Sequence, residues 1–465
     1  MRNVVMKFGG TSVADADAIN RLIDIVRAEA ARTGPPVVVV SAMSKVTDHL
    51  LSMAAEASRG ERGSIQIGVD ELRHRHLTTV DALFGYDKRP AVAAKIDMQV
   101  EELRAMLTAL AILREASPRS MDGIASTGEL LSSRLVAAAF QHAGLDAVWV
   151  DARRAIITDD TYTAAIPDIS ATHAALVREV VPHLESGRIP VLGGYVGATK
   201  DGVATTLGRG GSDYSAALAG EGVGASEIQI WTDVDGMLTA DPRVVGNPRV
   251  VSHLSFGEAS ELAYFGAKVL HPSTILPAVS ADIPVRILNS RKPSAPGTII
   301  TARPPLHDRP ITALACKRNV TVVEVTSTRM LMAHGFLRRL FEVFERYRTA
   351  VDVVTTSEVS VSVTIDDNGN LPGIATALRE FAEVTIEPDM ALLCAVGENL
   401  RVDPAFAIRM LAALDGVALR MVSQAASRRN VTVVIRDSEV GTAMSRLHDT
   451  WFAEPLEAPR LEAAR

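Results

Sequence analysis

Two glycine-rich segments, far apart in the chain, combine residue types that bind anions. The first covers residues 7–13 and joins two glycines to Lys7 and two hydroxyl side chains. The second covers residues 205–214 and places three glycines around Arg209, followed by a serine and Asp213. Glycines let backbone N–H groups approach a ligand closely, and a cation with a hydroxyl completes a site for phosphate or carboxylate. Together the segments predict that two anionic substrates are held face to face.

Each segment also has a simpler interpretation. Lys7 before Gly-Gly can be a surface lysine beside a tight turn, and its spacing does not match the P-loop pattern. The second segment can be a flexible loop with Asp213 as a helix cap, but its combination of residue types is more specific. Arg209 suits a carboxylate. Asp213, ionised at a helix N-terminus, suits the positioning of a lysine or Mg²⁺.

Three further segments contribute polar groups. Residues 231–236 end a predicted strand, which is where α/β sheets bind ligands. Lys268 lies near a predicted helix end, where a cation is favourable in any case, so structural and functional interpretations both stay open. Residues 126–129 resemble a helix cap, although Glu129 is equally suited to face a substrate ammonium. No Cys/His set has metal-ligand spacing, so no protein metal centre is predicted.

Composition limits the classes of protein. The 465 residues carry a net charge of −7 and two cysteines, Cys316 and Cys394, both in apolar runs. Without a long Lys/Arg run, nucleic-acid and membrane partners are not expected, and the cysteines are interpreted as small core residues. A strand begins at Asn3 in place of a signal peptide, and no apolar stretch reaches the ~20 residues that span a bilayer. A cytoplasmic protein is predicted.

The elements that must position these residues alternate between strand and helix up to about residue 290. Strands are predicted at 3–8, 37–40, 147–150, 189–192, 228–231 and 285–288, and helices at about 13–32, 45–57, 129–143, 169–186, 211–221 and 256–269, with a helical hairpin inserted at about 68–83 and 91–116. This alternation predicts an α/β fold with a mainly parallel sheet sandwiched by helices. Prolines after residue 289 indicate a linker. We therefore predict a catalytic domain at 1–290 and a linker at 291–310.

The remaining residues, 311–465, repeat weakly at an offset of 70 positions. Phe336 matches Phe406, and residues 361–365 match 431–435. Chance agreement between two αβ units is the alternative, but the helix and strand patterns share one offset. We predict a tandem pair of βαββαβ modules. The first module covers about 320–389, and the second covers about 311–319 plus 390–465.

Six ordered motifs, spread over essentially the whole chain, resemble those of the aspartokinases in the amino-acid kinase family. They are residues 7–13, 126–132, 206–213, 231–234, 241–243 and 265–272. The resemblance implies an amino-acid kinase fold that transfers the γ-phosphoryl group of ATP to the side-chain carboxylate of L-aspartate. It also implies ATP and Mg²⁺ as cofactors, in the first step of the aspartate-derived amino-acid pathway.

The resemblance further implies roles for single residues. Lys7 would stabilise the transferring phosphoryl group, which Asp213 would orient, while Arg209 would take a substrate carboxylate and Glu129 the ammonium. The other residues implied at the amino-acid site are Ser41, Thr47 and Ser212, and those at the ATP site are Gly9, Gly10, Thr11, Ser12, Thr232, Asp233, Arg243, Lys268 and Val269. The acceptor carboxylate is already ionised at neutral pH and needs no general base, so catalysis is positioning plus charge neutralisation.

The C-terminal modules resemble ACT domains, which bind amino-acid effectors and pair between subunits. The effector residues implied by the monofunctional, lysine-sensitive branch are Met330, Gly335, Phe336, Leu337, Asp352, Thr356, Ser357 and Glu358. We expect an amino-acid effector, with lysine the leading candidate, and a homodimer or higher homo-oligomer. Two alternatives are a kinase for glutamate or N-acetylglutamate and a catalytically silent amino-acid sensor. The ACT-like pair argues against the first, and the presence of Lys7, Arg209 and Asp213 argues against the second.

Overall fold

The computed structural model describes residues 3–85, 87–266, 272–305, 310–327, 334–398, 400, 403, 405–424 and 427–453. The predicted ATP-site residues Lys268 and Val269 and the predicted effector residue Met330 lie outside these ranges. The chain forms two compact units, one within Met1–Met237 and Val269–Pro304 and one within Leu238–Lys268 and Pro305–Arg465. The domain boundaries near residues 290 and 310 stay predictions.

Helices and strands alternate along most of the chain. The strands are β1 (Val4–Phe8), β2 (Val37–Val40), β3 (Ala147–Val150), β4 (Ile157–Thr158), β5 (Ile189–Gly193), β6 (Val196–Thr199), β7 (Ala204–Thr206), β8 (Glu227–Thr232), β9 (His253–Ser255), β10 (Val285–Asn289), β11 (Thr298–Thr301), β12 (Ala313–Thr326), β13 (Val354–Thr356), β14 (Ser360–Ile365), β15 (Glu383–Val396), β16 (Met421–Gln424) and β17 (Asn430–Arg436). The helices are α1 (Ala16–Thr33), α2 (Val46–Ser58), α3 (Arg62–Leu83), α4 (Arg89–Leu113), α5 (Pro118–His142), α6 (Ala152–Ala155), α7 (Ile169–Glu179), α8 (Val181–Glu185), α9 (Gly211–Gly222), α10 (Phe256–Tyr264), α11 (Leu276–Ser280), α12 (Phe336–Arg346), α13 (Leu371–Arg379), α14 (Phe406–Ala413) and α15 (Val440–Phe452).

The first unit is built on a parallel sheet that the sequence predicts strand by strand. Its six predicted strands lie in the order β3-β5-β2-β1-β8-β10, and every neighbouring pair is parallel. The central strands β1 and β2 are buried at every residue, as expected for a sheet covered by helices on both faces. The α/β fold class is confirmed.

Four details of the first unit differ from the predictions. Residues 126–129 lie inside α5, so the interpretation as a helix cap is wrong. The helix predicted at 169–186 is two helices, α7 and α8, that meet at Val180. Strands β4, β6 and β7 form a small second sheet that was not predicted. Part of the predicted linker forms β11, which pairs antiparallel with β10.

The second unit contains a six-stranded sheet in the order β13-β14-β12-β15-β17-β16, in which all neighbours are antiparallel. Strands β12 and β15 are 14 residues long, and their pairing shifts register between Lys317 and Val322. Beyond this irregularity β12 pairs with β14, whereas the other half of β15 pairs with β17. Each long strand therefore serves both βαββαβ modules, and the predicted tandem architecture is confirmed.

The repeat at an offset of 70 is also visible in the cores of the two modules. Phe336 and Phe406 each begin a helix and are buried, as are the matched Leu340 and Met410. The sets pack into separate apolar clusters, one in each module. The common offset therefore reflects two copies of one packing arrangement. Within the described ranges, none of the helices combines the length and apolarity that a bilayer crossing requires.

Candidate active site

A cleft of about 840 Å³ in the first unit gathers most of the predicted site residues. Three adjacent parallel strands, β2, β1 and β8, end at this cleft, because the carboxyl ends of parallel strands meet at one sheet edge. The sequence-predicted residues that line it are Lys7, Gly9, Gly10, Thr11, Ser41, Thr47, Glu129, Arg209, Ser212, Asp213, Thr232 and Asp233. The two glycine-rich segments therefore face one cavity, as predicted.

Lys7 and Asp213 form an ion pair between the two segments. Lys7 Nζ lies 2.6 Å from Asp213 Oδ1, and the two side chains are 11% and 12% exposed. Lys7 belongs to the buried strand β1, and Asp213 lies in the first turn of α9, where a carboxylate is favourable. The ion pair holds the ammonium of Lys7 at the cleft. In this structure Asp213 therefore positions Lys7.

The N-terminus of α9 opens on the cleft through its glycines. Gly208 and Gly210 have φ of 73° and 71°, a conformation that glycine adopts without steric cost. A Cβ on Gly211 would lie 2.6 Å from Tyr195 Cδ2, so a larger residue would displace the tyrosine ring. Arg209 is exposed on this loop and lines the cleft. A helix N-terminus with an adjacent guanidinium is suited to bind a carboxylate or phosphate.

Glu129 places a carboxylate in an apolar, buried setting at the cleft. Its Oε1 accepts a hydrogen bond of 3.2 Å from Ala42 N. Its buried Oε2 has no hydrogen-bond partner among the described residues. Burial raises the pKa of Glu129 to about 8, because a charged carboxylate loses its hydration there. A buried acceptor without a partner is unfavourable, and a ligand ammonium would satisfy it.

The first glycine-rich loop forms more hydrogen bonds to other parts of the chain than predicted. The Gly9 N–H donates to Trp231 O at 3.1 Å, so the expectation that this N–H is open to a phosphate is wrong. Ser12 is buried, and its hydroxyl donates to Ser290 Oγ at 2.8 Å. Gly10 lies so close to the next loop that a Cβ would be 2.9 Å from Ala42 O. These contacts fix the loop and leave Thr11 and the Gly10 backbone facing the cleft.

The remaining predicted ATP-site residues are only partly assembled. Thr232 and Asp233 line the cleft beside β8. Arg243 lies in the second unit, where its Nη2 is 2.6 Å from Asp241 Oδ2. Its role at the nucleotide stays a prediction, as do those of Lys268 and Val269.

Sequence reasoning missed three charged residues of the cleft, Lys45, Asp48 and Asp122. Asp122 is buried on α5, seven positions before Glu129, and accepts hydrogen bonds from Thr163 N and from the N and Oγ1 of Thr206. The spacing of two helical turns from Glu129 was the available clue, since it places both carboxylates on one helix face. Lys45 also lines the cleft, and its left-handed backbone, with φ of 66°, is not visible in the sequence.

The predicted effector residues have mixed surroundings in the second unit. The carboxylate of Asp352 is ion-paired with Lys317 Nζ at 2.9 Å and accepts a hydrogen bond from Tyr264 Oη. Phe336 packs in the core of the first module, whereas Leu337 is exposed. The other described residues of this set, Gly335, Thr356, Ser357 and Glu358, are exposed. Their effector role stays a prediction.

The comparisons with known proteins agree with this architecture. The Amino acid kinase family matches residues 2–289, and the ACT domain family matches residues 393–451. Lysine-sensitive aspartokinase 3 of Escherichia coli (strain K12) is 36% identical, over 97% of this chain and 99% of that protein. Aspartokinase 1, chloroplastic, of Arabidopsis thaliana is 37% identical, over 98% of this chain and 82% of that protein.

Solved structures give the same result. The E. coli aspartokinase III in complex with aspartate and ADP (R-state) matches with a TM-score of 0.82 and 35% identity, over 96% of this chain and 99% of that one. The same E. coli enzyme in complex with lysine and aspartate (T-state) matches with a TM-score of 0.81 and 35% identity, over 97% and 99% of the two chains. This chain belongs to the amino acid kinase family and, within it, to the aspartokinases.

Proposed function

We propose that this enzyme phosphorylates the side-chain carboxylate of L-aspartate with ATP to give 4-phospho-L-aspartate. The observation that carries the proposal is the pairing, in one cleft, of an unpartnered buried carboxylate oxygen on Glu129 with the Lys7–Asp213 ion pair. The first is suited to an α-ammonium and the second to a phosphoryl group. A free amino acid that accepts a phosphoryl group needs both.

The charges of the cleft suit an anion-to-anion reaction. The acceptor carboxylate and the phosphoryl group repel each other, so cations must lie between or beside them. Lys7 supplies one such charge, and its ion pair with Asp213 keeps the Lys7 ammonium directed into the cleft. Arg209 takes the second carboxylate of the amino acid. Glu129 gives up its proton when the α-ammonium binds, because the ion pair replaces the hydration that burial removed.

ATP is proposed to bind on the side of Gly10, Thr11, Thr232 and Asp233, which line the same cleft. No cluster of three or more His, Cys, Asp or Glu side chains suited to a metal occurs in the described part of the chain. Mg²⁺ usually keeps several waters and binds substrate phosphates with one or two carboxylates. Two carboxylates line the cleft, that of Asp233 and that of Asp213, which is also paired with Lys7. We therefore propose that Mg²⁺ arrives with ATP, neutralising phosphate charge.

The choice of amino acid is tested by ATP-dependent hydroxamate formation with aspartate, glutamate and N-acetylglutamate. N-acetylglutamate has no ammonium to meet Glu129, so we expect it to be inactive. Aspartate should give hydroxamate, and Lys7→Ala should lower kcat far more than it changes the aspartate KM. Absence of ATP-dependent hydroxamate with aspartate would refute the proposal. An unchanged kcat in Lys7→Ala would refute only the role of Lys7.

We also propose feedback regulation by an amino acid at the ACT pair, with lysine as the leading candidate, in a homodimer or higher homo-oligomer of the cytoplasm. Support comes from the lysine-bound E. coli relative and from the two modules built on one sheet. Inhibition assays with single amino acids test the effector, and no response to millimolar lysine would exclude it. Light scattering tests the oligomer, and a monomeric mass would exclude it.

A further inference from the structure

Lys45 is a non-glycine residue held in the left-handed region at the edge of the cleft. Its φ is 66° and its ψ is 1°, at the position that precedes the first turn of α2. For a residue with a Cβ this conformation costs conformational energy. Glycine would adopt it freely at the start of a helix. A strained lysine at this position therefore needs an explanation beyond the turn itself.

The loop that carries Lys45 is fixed by the proposed active site on two sides. Ser44 N donates to Gly10 O at 3.1 Å, and Ala42 N donates to Glu129 Oε1. The loop is further held by Arg75, whose Nη1 donates to Ser44 O at 2.8 Å. Lys45 O accepts from His49 N and so begins α2. The backbone of Lys45 is thus placed between the glycine loop of β1 and the buried Glu129.

The ammonium of Lys45 is available for a ligand. Lys45 lines the cleft and is exposed. Among the described residues, no carboxylate lies within ion-pair distance of its Nζ, whereas Lys7 is already paired with Asp213. The cleft is otherwise rich in acids, with Asp48, Asp122, Glu129, Asp213 and Asp233 on its wall. An anionic acceptor and an anionic donor would need more cationic charge than Arg209 alone leaves free.

We infer that Lys45 is a substrate-binding residue whose ammonium contacts an oxyanion of the bound reactants. This inference rests on the proposed kinase function. The oxyanion is either a carboxylate of the amino acid or the phosphoryl group in transfer, since the loop adjoins both sides of the cleft. The left-handed backbone is the cost of placing a lysine where glycine would be more stable.

The test uses three variants of the full-length protein. Lys45→Gln removes the charge and keeps the strained backbone. Lys45→Gly removes the charge and relieves the strain, and Lys45→Arg keeps the charge. Arg114→Gly is the matched control, because Arg114 is exposed, has φ of 54° at the end of α4 and does not line the cleft.

Loss of one charged hydrogen bond should lower kcat/KM for aspartate by about 10- to 100-fold in Lys45→Gln and Lys45→Gly. Lys45→Arg should stay within about threefold of the wild type. Lys45→Gly and the control Arg114→Gly should each raise the thermal midpoint of unfolding by about 1–2 °C, because each removes left-handed strain. Only Lys45→Gly should lose activity while it gains stability, a combination that a merely structural lysine would not produce.

The separate values of kcat, the aspartate KM and the ATP KM identify the oxyanion that Lys45 contacts. A rise mainly in the aspartate KM, matched by weaker aspartate binding in calorimetry, assigns it to a carboxylate. A fall mainly in kcat, or a rise in the ATP KM, assigns it to the phosphoryl group. If kcat and both KM values of Lys45→Gln and Lys45→Gly stay within twofold of the wild type, the inference is overturned. The kinase proposal then still stands, because the wild-type protein phosphorylates aspartate. A wild-type protein that neither binds nor phosphorylates aspartate overturns both.

Discussion

The buried carboxylate of Glu129 predicts that aspartate binding is coupled to proton release. The free protein holds Glu129 with a pKa of about 8, raised by burial. The bound ammonium needs the ionised carboxylate, so binding must remove the proton. Affinity for aspartate should therefore increase as pH rises through neutrality. An exposed glutamate would give no such pH dependence, because it is fully ionised throughout this range.

The magnitude follows from the ionised fraction of Glu129. With a pKa of about 8, this fraction is about 1% at pH 6, about 9% at pH 7 and about half at pH 8. Affinity should then rise about 50-fold between pH 6 and pH 8, and about 0.9 proton should leave per aspartate bound at pH 7. The residues that line the described cleft include no histidine, so no other side chain there ordinarily titrates in this range.

Isothermal titration calorimetry at pH 6, 7 and 8, each in two buffers of different ionisation enthalpy, measures both quantities. Glu129→Gln should bind aspartate weakly and without pH dependence, because its side chain cannot ionise. Glu71→Gln makes the same chemical change at an exposed position of α3 and should behave as the wild type. A wild-type affinity that changes less than threefold from pH 6 to 8, or that falls as pH rises, would refute the reasoning.

The same group makes an independent prediction about stability. Glu129 keeps its proton in the folded protein up to a pKa of about 8, whereas it ionises near its ordinary value of 4.5 in the unfolded chain. The unfolded state therefore binds fewer protons between these values, and the free energy of unfolding falls as pH rises from about 4.5 to 8. Glu129→Gln should lose this dependence and be more stable than the wild type at pH 8 by roughly a few kcal/mol, as denaturant titrations at pH 5 and 8 would reveal. Parallel pH profiles for the two proteins would contradict this.

Three further predictions concern other contacts. Asp213→Asn should lower kcat by at least about 100-fold and reduce stability by about 3 kcal/mol, because it leaves Lys7 unpaired in a largely buried position; a kcat within threefold of the wild type would argue against the ion pair. Asp122→Asn should cost about 2 kcal/mol in denaturant titrations, since its hydrogen bonds to Thr206 lose their charge assistance, and an unchanged unfolding midpoint would contradict that. Asp352→Asn should raise the amino-acid concentration needed for half-inhibition while kcat stays within twofold, and an unaltered inhibition curve would exclude Asp352 from the effector response.

The parallel sheet was predictable because its strands are continuous apolar runs bounded by glycine and polar residues. Residues such as Val37–Val40 have no alternation and fit only a strand buried on both faces. The cleft was predictable for a related reason, since the polar motifs follow directly where these strands end. The sequence order of the motifs thus translated into proximity at one edge of the sheet.

Helix α5 was harder to predict, because its interior contains residues that usually end helices. Ser117 is its N-cap and Pro118 its first residue, a strong start signal that precedes the predicted start at 129. Position 128 inside the helix is a glycine because a Cβ there would be 2.9 Å from Ala42 Cβ. A tertiary contact, not local propensity, selects this glycine, and such a contact is invisible in one sequence.

The hydrogen-bond assignments of the glycine loops were equally inaccessible. Gly9 lies in a segment whose composition is typical of an anion site, yet its N–H donates a hydrogen bond to Trp231 O. The partner comes from a strand more than two hundred residues away in the chain but adjacent in the sheet. Composition predicts which residues can bind a ligand. Only the fold determines which backbone groups remain free to do so.

The two long strands of the second unit have a consequence for how that unit can be divided. The C-terminal part of β15 pairs with the N-terminal part of β12 and with β17. The C-terminal part of β12 pairs with β14 and with the N-terminal part of β15. A fragment that ends near residue 390 would therefore lack the strand that covers Ala313 to Lys317 and expose an apolar edge. We therefore expect that neither module folds on its own and that both unfold in a single cooperative step. Limited proteolysis would then leave the pair whole or destroy it, with no stable single module as an intermediate.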